Sequence, residues 1–283
     1  MTVSILTLVR GRERQLANLV AGLAAQDRPV DELVVAAMQA TAPTIDAPFP
    51  VRTVVVPGER LPLAAARNAA ANLASGSGLV FLDVDCVPAP GLLATYADHL
   101  AAVDGCLMGE VRYLPFVPGV PLDLAKLYAA GVRHPAKPAP PPTGLAREED
   151  YGELWGLSFA LRRTAFVRVG GFDEGYVGYG SEETDFARRL EAAGVPLYRV
   201  AGALAFHQHH AVHVPPLQHF ADIVANARRY HRAWGRWSME YWLGQLAERS
   251  YVRWRADGDD LTVLRTPTCD EVTASAVPDA LFS

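Results

Sequence analysis

An α/β fold, with helices laid on a largely parallel sheet, is what this sequence predicts, and three observations carry the prediction. Short apolar, β-branched runs alternate with stretches of helical apolar spacing through the N-terminal third. One of those runs, Leu79-Val80-Phe81-Leu82, is continuous enough for a strand buried on both faces, and it ends in Asp83-Val84-Asp85. The chain has 283 residues, 50% of them hydrophobic, enough to bury a substantial core in one large domain or one domain with a C-terminal appendage.

Taken in order, Val3 to Val9 predicts a strand, Glu13 to Ala25 a helix and Glu32 to Ala36 a second strand, together a β-α-β unit. Val51 to Val56 predicts a third strand, Leu63 to Ala74 an Ala-rich helix, and Leu79 to Leu82 the strand that delivers Asp83. Ligands of open α/β sheets gather at the carboxyl ends of the strands, which is where this acidic pair stands. Leu92 to Ala102 predicts a helix, after which the alternation breaks. Pro135 to Pro142 is a Pro/Ala run that continues neither helix nor sheet; a lid and a plain linker are its two readings. Ser158 to Leu161 predicts a strand, Arg163 to Val169 a short helix, and Gly178 to Leu190 a tight loop feeding another helix. Pro216 to Trp242, rich in His, Arg and Trp, predicts a helical region whose aromatics pack on a core, with a helix at a membrane surface as the alternative. Tyr251 to Arg255 and Leu261 to Leu264, around Asp257-Gly258, predict a terminal hairpin.

A net charge of −5 offers no basic surplus for a polyanion, so nucleic acid is not expected as a partner. Cys86, Cys106 and Cys269 are too few and too scattered for a disulfide framework or a zinc finger, which fits a reducing cytoplasm. The first apolar run is too short for a signal peptide and meets Arg10, Arg12 and Arg14 at its wrong end. No later stretch is long enough to span a bilayer.

Two carboxylates one residue apart at the end of a buried strand are costly unless something compensates them, and a divalent cation would. Mg²⁺ and Mn²⁺ take oxygen ligands and commonly bridge carboxylates to substrate phosphates. Context matters here: Asp257-Gly258-Asp259 has the same spacing but reads as a turn. The second acidic block, Gly178-Tyr179-Gly180-Ser181-Glu182-Glu183-Thr184-Asp185, puts three acids into a first helical turn. The helix macrodipole favours them there; the alternative is that one is a general base and its neighbours orient it or bind hydroxyls. His207-Gln208-His209-His210 follows Ala203-Leu204-Ala205-Phe206, and in a strand His207 and His209 would share a face. His207 is the first candidate for a metal ligand because it ends the apolar run, and His209 the second.

Asp-x-Asp ending a strand, Gly170-Gly171-Phe172-Asp173-Glu174 before Gly180-x-Glu-Glu-x-Asp, and a later His form a fixed order. In that order, with Thr7-Leu8-Val9-Arg10 and Ala66-Arg67-Asn68, the chain resembles the family 2 glycosyltransferases with the GT-A fold, from Val3 to His213. The Gly170 to Leu190 block is similar to a galactosyltransferase-type C-terminal catalytic segment. The resemblance implies a mixed sheet flanked by helices, a nucleotide-binding half over 1–105, a catalytic and acceptor half over 106–213, and an extension over 214–283. It implies a nucleotide-sugar donor, UDP-linked, held by Thr7, Val9, Arg10, Gln39 at the end of the second strand, Arg67 and Asp83, with Asp185 grouped on the same side. Asp85 and His207 would hold Mn²⁺ or Mg²⁺ on the diphosphate, Glu183 would be the catalytic base with Glu182 its acidic neighbour, and Trp155 and Gly156 would line the sugar and acceptor side.

Two departures from the family pattern stand out. Gln39 replaces the usual acidic residue after the second strand, and Glu183 stands where Asp is common. The implied reaction is metal-dependent transfer of a hexose, with inversion, to an acceptor that is a glycan, a lipid-linked saccharide or a small molecule. Localisation is cytoplasmic, with contact at the inner membrane surface as an extension of that expectation. A sugar-phosphate nucleotidyltransferase and an inactive nucleotide-sugar or carbohydrate-binding module are the rival readings; the first lacks a convincing Gly-rich triphosphate loop beyond Arg10-Gly11-Arg12.

Overall fold

A computed structural model describes residues 1–115 and 123–282. Its elements run β1 (Val3–Val9), α1 (Glu13–Ala24), β2 (Glu32–Ala37), β3 (Val51–Val55), α2 (Leu63–Leu73), β4 (Gly78–Leu82), β5 (Cys86–Pro88) and α3 (Leu92–Ala102). Then follow β6 (Cys106–Tyr113), α4 (Leu124–Ala130), β7 (Val132–Arg133), β8 (Leu145–Glu148), β9 (Ser158–Arg162), α5 (Arg163–Arg168), α6 (Glu182–Ala192), β10 (Leu197–His207) and β11 (Val212–His213). The C-terminal region holds α7 (Phe220–Trp234), α8 (Glu240–Glu248), β12 (Val252–Trp254), β13 (Leu261–Val263), α9 (Cys269–Ala274) and β14 (Ala276–Val277).

Among the described residues the main sheet runs β3-β2-β1-β4-β9-β6-β10-β5, with β7 on β6 and β8 on β10. Its N-terminal half is parallel, Ile5 lying against both Leu33 and Val80. The other half is mixed, because β9 enters antiparallel between β4 and β6 and pairs Phe159 with Phe81. The alternation of strands and helices implies parallel pairing and cannot announce such an insertion, since β9 lies far from both partners in sequence.

Residues alternate between the two faces of β1, β2 and β4. Leu6, Leu8, Val34, Ala36, Leu79 and Phe81 join one apolar cluster, while Ile5, Val9, Leu33, Val35, Val80 and Leu82 join the other. Helices cover both. The stripe Leu16, Leu19, Val20, Leu23 of α1 closes one face, and the small side chains Ala64, Ala66, Ala70 and Ala71 let α2 approach the other closely. Phe81, Phe159, Phe172 and Phe186 pack as a chain of rings, with Phe81 and Phe159 stacked at 4.6 Å and Phe172 and Phe186 at 4.2 Å, and so seat α6 on the sheet.

A third cluster, including Phe220, Ile223, Trp237, Leu243, Leu246, Tyr251 and Leu261, holds α7, α8 and the β12–β13 hairpin together. The C-terminal aromatics therefore include core residues, as their helical spacing suggests. No helix among the described residues is long and apolar enough to cross a membrane.

Candidate active site

Asp83 follows β4 directly, its N–H donating to Leu157 O at 3.0 Å, and the chain turns at once, Cys86 N–H donating to Asp83 O at 2.9 Å. That turn sends β5 back along β10 with Cys86 opposite His207, so Asp85 arrives beside the end of β10. Gln208 N–H donates to Asp85 O at 2.7 Å and fixes the approach. The Asp85 side chain is 6% exposed; its Oδ1 lies 3.5 Å from His207 Nε2 and its Oδ2 3.6 Å from His210 Nε2, with the Arg12 guanidinium also donating to Oδ2.

Ligand atoms of Asp85, His207 and His210 all lie within 4.8 Å of one another. Asp85 Oδ1 is buried and accepts no hydrogen bond, and burial holds His207 below the usual imidazole range against the pull of Asp85. A neutral imidazole and an unsatisfied carboxylate oxygen are what a divalent cation requires. One hard carboxylate with two borderline imidazoles suits Mn²⁺ better than Mg²⁺. His209, the second histidine expected from strand alternation, is outside this group. The strand ends at His207, the two-residue period stops there, and the turn brings His210 round instead.

The acidic block lies at the N-terminus of α6, where Glu182, Glu183 and Asp185 occupy the first turn. Arg67 reaches it from α2: Nη1 donates to Glu182 Oε1 and Nη2 to Glu183 Oε1, both at 2.9 Å, and Nη2 is 3.8 Å from Asp83 Oδ1. Glu183 Oε2 accepts from the Gly156 N–H at 2.8 Å. A Cβ on residue 156 would clash with Glu183 Oε1, so glycine there lets the carboxylate lie against the backbone. Burial raises Glu182, helped by Glu183 and opposed by Arg67. Burial also pushes Asp83 up to about 8, with Asp85 and Glu183 adding to the effect and Arg67 opposing it.

Asp185, expected on the donor side, is engaged elsewhere. Its carboxylate accepts from Tyr176 Oη at 3.3 Å, Arg189 Nε at 2.6 Å and Trp234 Nε1 at 2.8 Å, which ties α6 to α7.

On the nucleotide side, Thr7 and Val9 are buried in β1, and Thr7 Oγ1 has no hydrogen-bond partner. Arg10 donates to Gly58 O at 3.2 Å. The Gln39 amide is occupied at both ends, Oε1 accepting from Gly11 N–H at 3.0 Å and Nε2 donating to Thr41 O at 3.1 Å. Trp155 carries the Lys137 ammonium 3.7 Å over its ring, and Lys137 also pairs with Glu153 at 2.9 Å.

Sequence reasoning did not assign Arg12, Tyr113 or Tyr179 to the site, and it left open which of His207, His209 and His210 binds metal. His210 and Arg12 each stand within a few residues of candidates that were named. Tyr113 packs tilted against His207, ring centroids 4.8 Å apart, only through the β6–β10 register, and Tyr179 comes near through packing on His219 and Trp242, so neither leaves a local signal.

Residues 4–115 match the family described as glycosyl transferase family 2, and residues 145–214 the one described as the N-terminal domain of galactosyltransferase. The chain is 30% identical over 161 residues to the validoxylamine A glucosyltransferase of Streptomyces hygroscopicus subsp. jinggangensis, a match covering 48% of this chain and 36% of that protein. It is 34% identical over 116 residues to the N-acetylglucosaminyl-diphospho-decaprenol L-rhamnosyltransferase of Mycobacterium tuberculosis, covering 38% of this chain and 37% of the other. The chain thus matches little more than a third of the length of these curated relatives. Among solved structures, GalNAc-T7 with UDP, GalNAc and Mn²⁺ superposes with a TM-score of 0.51 at 16% identity, over 74% of this chain and 43% of that one. S. aureus TarS 1-349 superposes with a TM-score of 0.51 at 17% identity, over 88% and 70%. The shared fold is GT-A.

Proposed function

We propose, for a chain that is by sequence and fold a family 2 glycosyltransferase of the GT-A class, that it moves a hexose from a UDP-sugar to an acceptor hydroxyl with inversion of the anomeric centre. The observation that carries this reading is the joining of two sites. Asp83 is in reach of Arg67 and two residues from Asp85, so a metal-ligand cluster and an acidic cluster meet at the end of one strand.

In this reading Glu183 accepts the proton of the acceptor hydroxyl while that oxygen bonds to the anomeric carbon. The bond from that carbon to the diphosphate oxygen breaks on the opposite face, and the electron pair leaves with UDP. The Glu183 carboxylate, held by Arg67 and the Gly156 N–H, keeps lone pairs free for that proton. A divalent cation on Asp85, His207 and His210 supplies, when bound, electrostatic stabilisation of the departing diphosphate. Arg12 adds a fixed positive charge at the same place.

The choice of UDP and of Mn²⁺ draws support from the similarity to GalNAc-T7, crystallised with both. The relatives' names, one a validoxylamine A glucosyltransferase and one acting on N-acetylglucosaminyl-diphospho-decaprenol, support a small-molecule or lipid-linked saccharide acceptor. We assign 1–213 to the transferase domain and 214–283 to an extension.

The test is nucleotide release from a panel of UDP-, GDP- and dTDP-sugars with Mn²⁺ and then with chelator, followed by acceptor trials. Release from one UDP-sugar that chelation abolishes is the expected result; release from none of the donors sinks the reading. Glu183→Gln should lower transfer by roughly 10²- to 10⁴-fold while UDP still binds. Undiminished turnover in that variant would remove Glu183 from its role.

A further inference from the structure

Helix α2 carries one guanidinium into a stripe otherwise made of alanines. Ala64, Ala70 and Ala71 lie one turn either side of Arg67, and all four are buried. The Arg67 side chain is 4% exposed, and its guanidinium nitrogens are directed at the acids around it. We propose that Arg67 is a positioning residue for Glu183, not a contact to the donor; this rests on the glycosyl-transfer reading, in which Glu183 is the base.

Three features of the geometry argue for it. The two terminal nitrogens address two different carboxylates, Glu182 and Glu183, each at 2.9 Å. That is work for a planar fork of donors at fixed separation, which a lysine ammonium cannot reproduce. Secondly, Glu183 is gripped at both oxygens, Oε1 by Arg67 and Oε2 by Gly156 N–H, so the plane of its carboxylate is set before any acceptor arrives. Thirdly, Glu182 is itself buried, with its Oε1 on Arg67. It is the counter-ion that anchors the guanidinium, while Phe172, 5.2 Å beneath the Arg67 Cζ, closes the other side. Without the guanidinium, the buried Glu182 and the half-buried Asp83 and Glu183 would face one another with no cation between them.

The experiment compares Arg67→Lys and the double variant Arg67→Met/Glu182→Gln with the wild type. The double variant removes one acid along with the cation, so it remains foldable if the single charge loss proves too costly. Thermal melting checks folding, calorimetry with Mn²⁺ measures UDP affinity, and steady-state kinetics separate kcat from donor KM. A positioning role predicts UDP affinity and donor KM within about threefold of wild type, with kcat down on the order of a hundredfold. Arg67→Lys should retain more of kcat than the double variant, because it still serves one carboxylate. A donor contact predicts the reverse split, UDP affinity weakened on the order of tenfold or more with kcat largely retained, and that result overturns the inference alone. Wild-type protein that releases no nucleotide from any donor overturns the underlying reading and the inference with it.

Discussion

Asp85 faces two imidazoles and a guanidinium from a single buried carboxylate, and one of its oxygens still accepts no hydrogen bond. A buried acceptor left in that state costs on the order of 1–3 kcal/mol, a cost that a cation bound there, as proposed, would relieve. The ligand set yields a prediction at single-residue resolution. Asp85→Asn and His210→Ala should each weaken Mn²⁺ binding by about tenfold or more, while His209→Ala changes it by less than about threefold. Titration followed by the electron paramagnetic resonance of free Mn²⁺ reads this directly, and unchanged Mn²⁺ affinity in His210→Ala would remove His210 from the set. The contrast also shows which residues a sequence can offer. Asp85 is legible because Leu79 to Leu82 reads as a buried strand whose end must be accounted for, and His207 because Ala203 to Phe206 does the same. His210 is illegible because its place depends on a turn, where neither the period of a strand nor that of a helix applies.

At the scale of elements, the segment between β7 and β8 decides how the Trp155 side of the site is closed. Lys137 sits over Trp155 and pairs with Glu153, and Arg199 donates to Ala139 O at 2.6 Å, so the Pro-rich run is tied down at two points. Burial lowers Lys137 to about 8, only partly offset by Glu153. A lysine whose folded pKa lies below its ordinary value of 10.5 binds its proton less well in the folded state than in the unfolded chain. Stability therefore rises with pH between about 8 and 10.5. The 19% exposed side chain and the size of the shift put the gain at no more than ~3 kcal/mol. Urea unfolding of wild type and Lys137→Met at pH 7.5 and pH 10 should show the wild type gaining on the variant by about 2 kcal/mol; parallel changes in the two would contradict the burial of this ammonium. The elements of the N-terminal third are legible because each closes its own apolar period, as Leu16, Leu19, Val20 and Leu23 do in α1. The mixed half is not, because the place of β9 between β4 and β6 is fixed by Phe159 stacking on Phe81, a contact between distant residues.

Across the whole molecule, α6 is the joint between the sheet and the C-terminal region. Its first turn bears Glu182 and Glu183 towards the site, while Asp185, in the same turn, accepts the indole N–H of Trp234 from α7. The loop before it is held from the same side. Asp222 of α7 accepts from Tyr179 N–H at 3.1 Å and pairs with Arg60, and Tyr179 stacks on His219 at 4.4 Å and lies 5.5 Å from Trp242. The C-terminal region is thus the back wall of the acidic cluster, and in the proposed mechanism loosening it should be felt at Glu183, the proposed base, before it is felt in UDP binding. Trp234→Phe keeps the ring and removes only the N–H, leaving a buried carboxylate one donor short at a cost of about 1.5–3 kcal/mol. The variant should unfold at lower denaturant, exchange amide hydrogens faster over residues 177–190, and lose more in kcat than in UDP affinity. Unchanged exchange over 177–190, together with wild-type stability, would mean that α7 is an independent appendage; a loss confined to UDP affinity would mean that the clamp serves the nucleotide half instead.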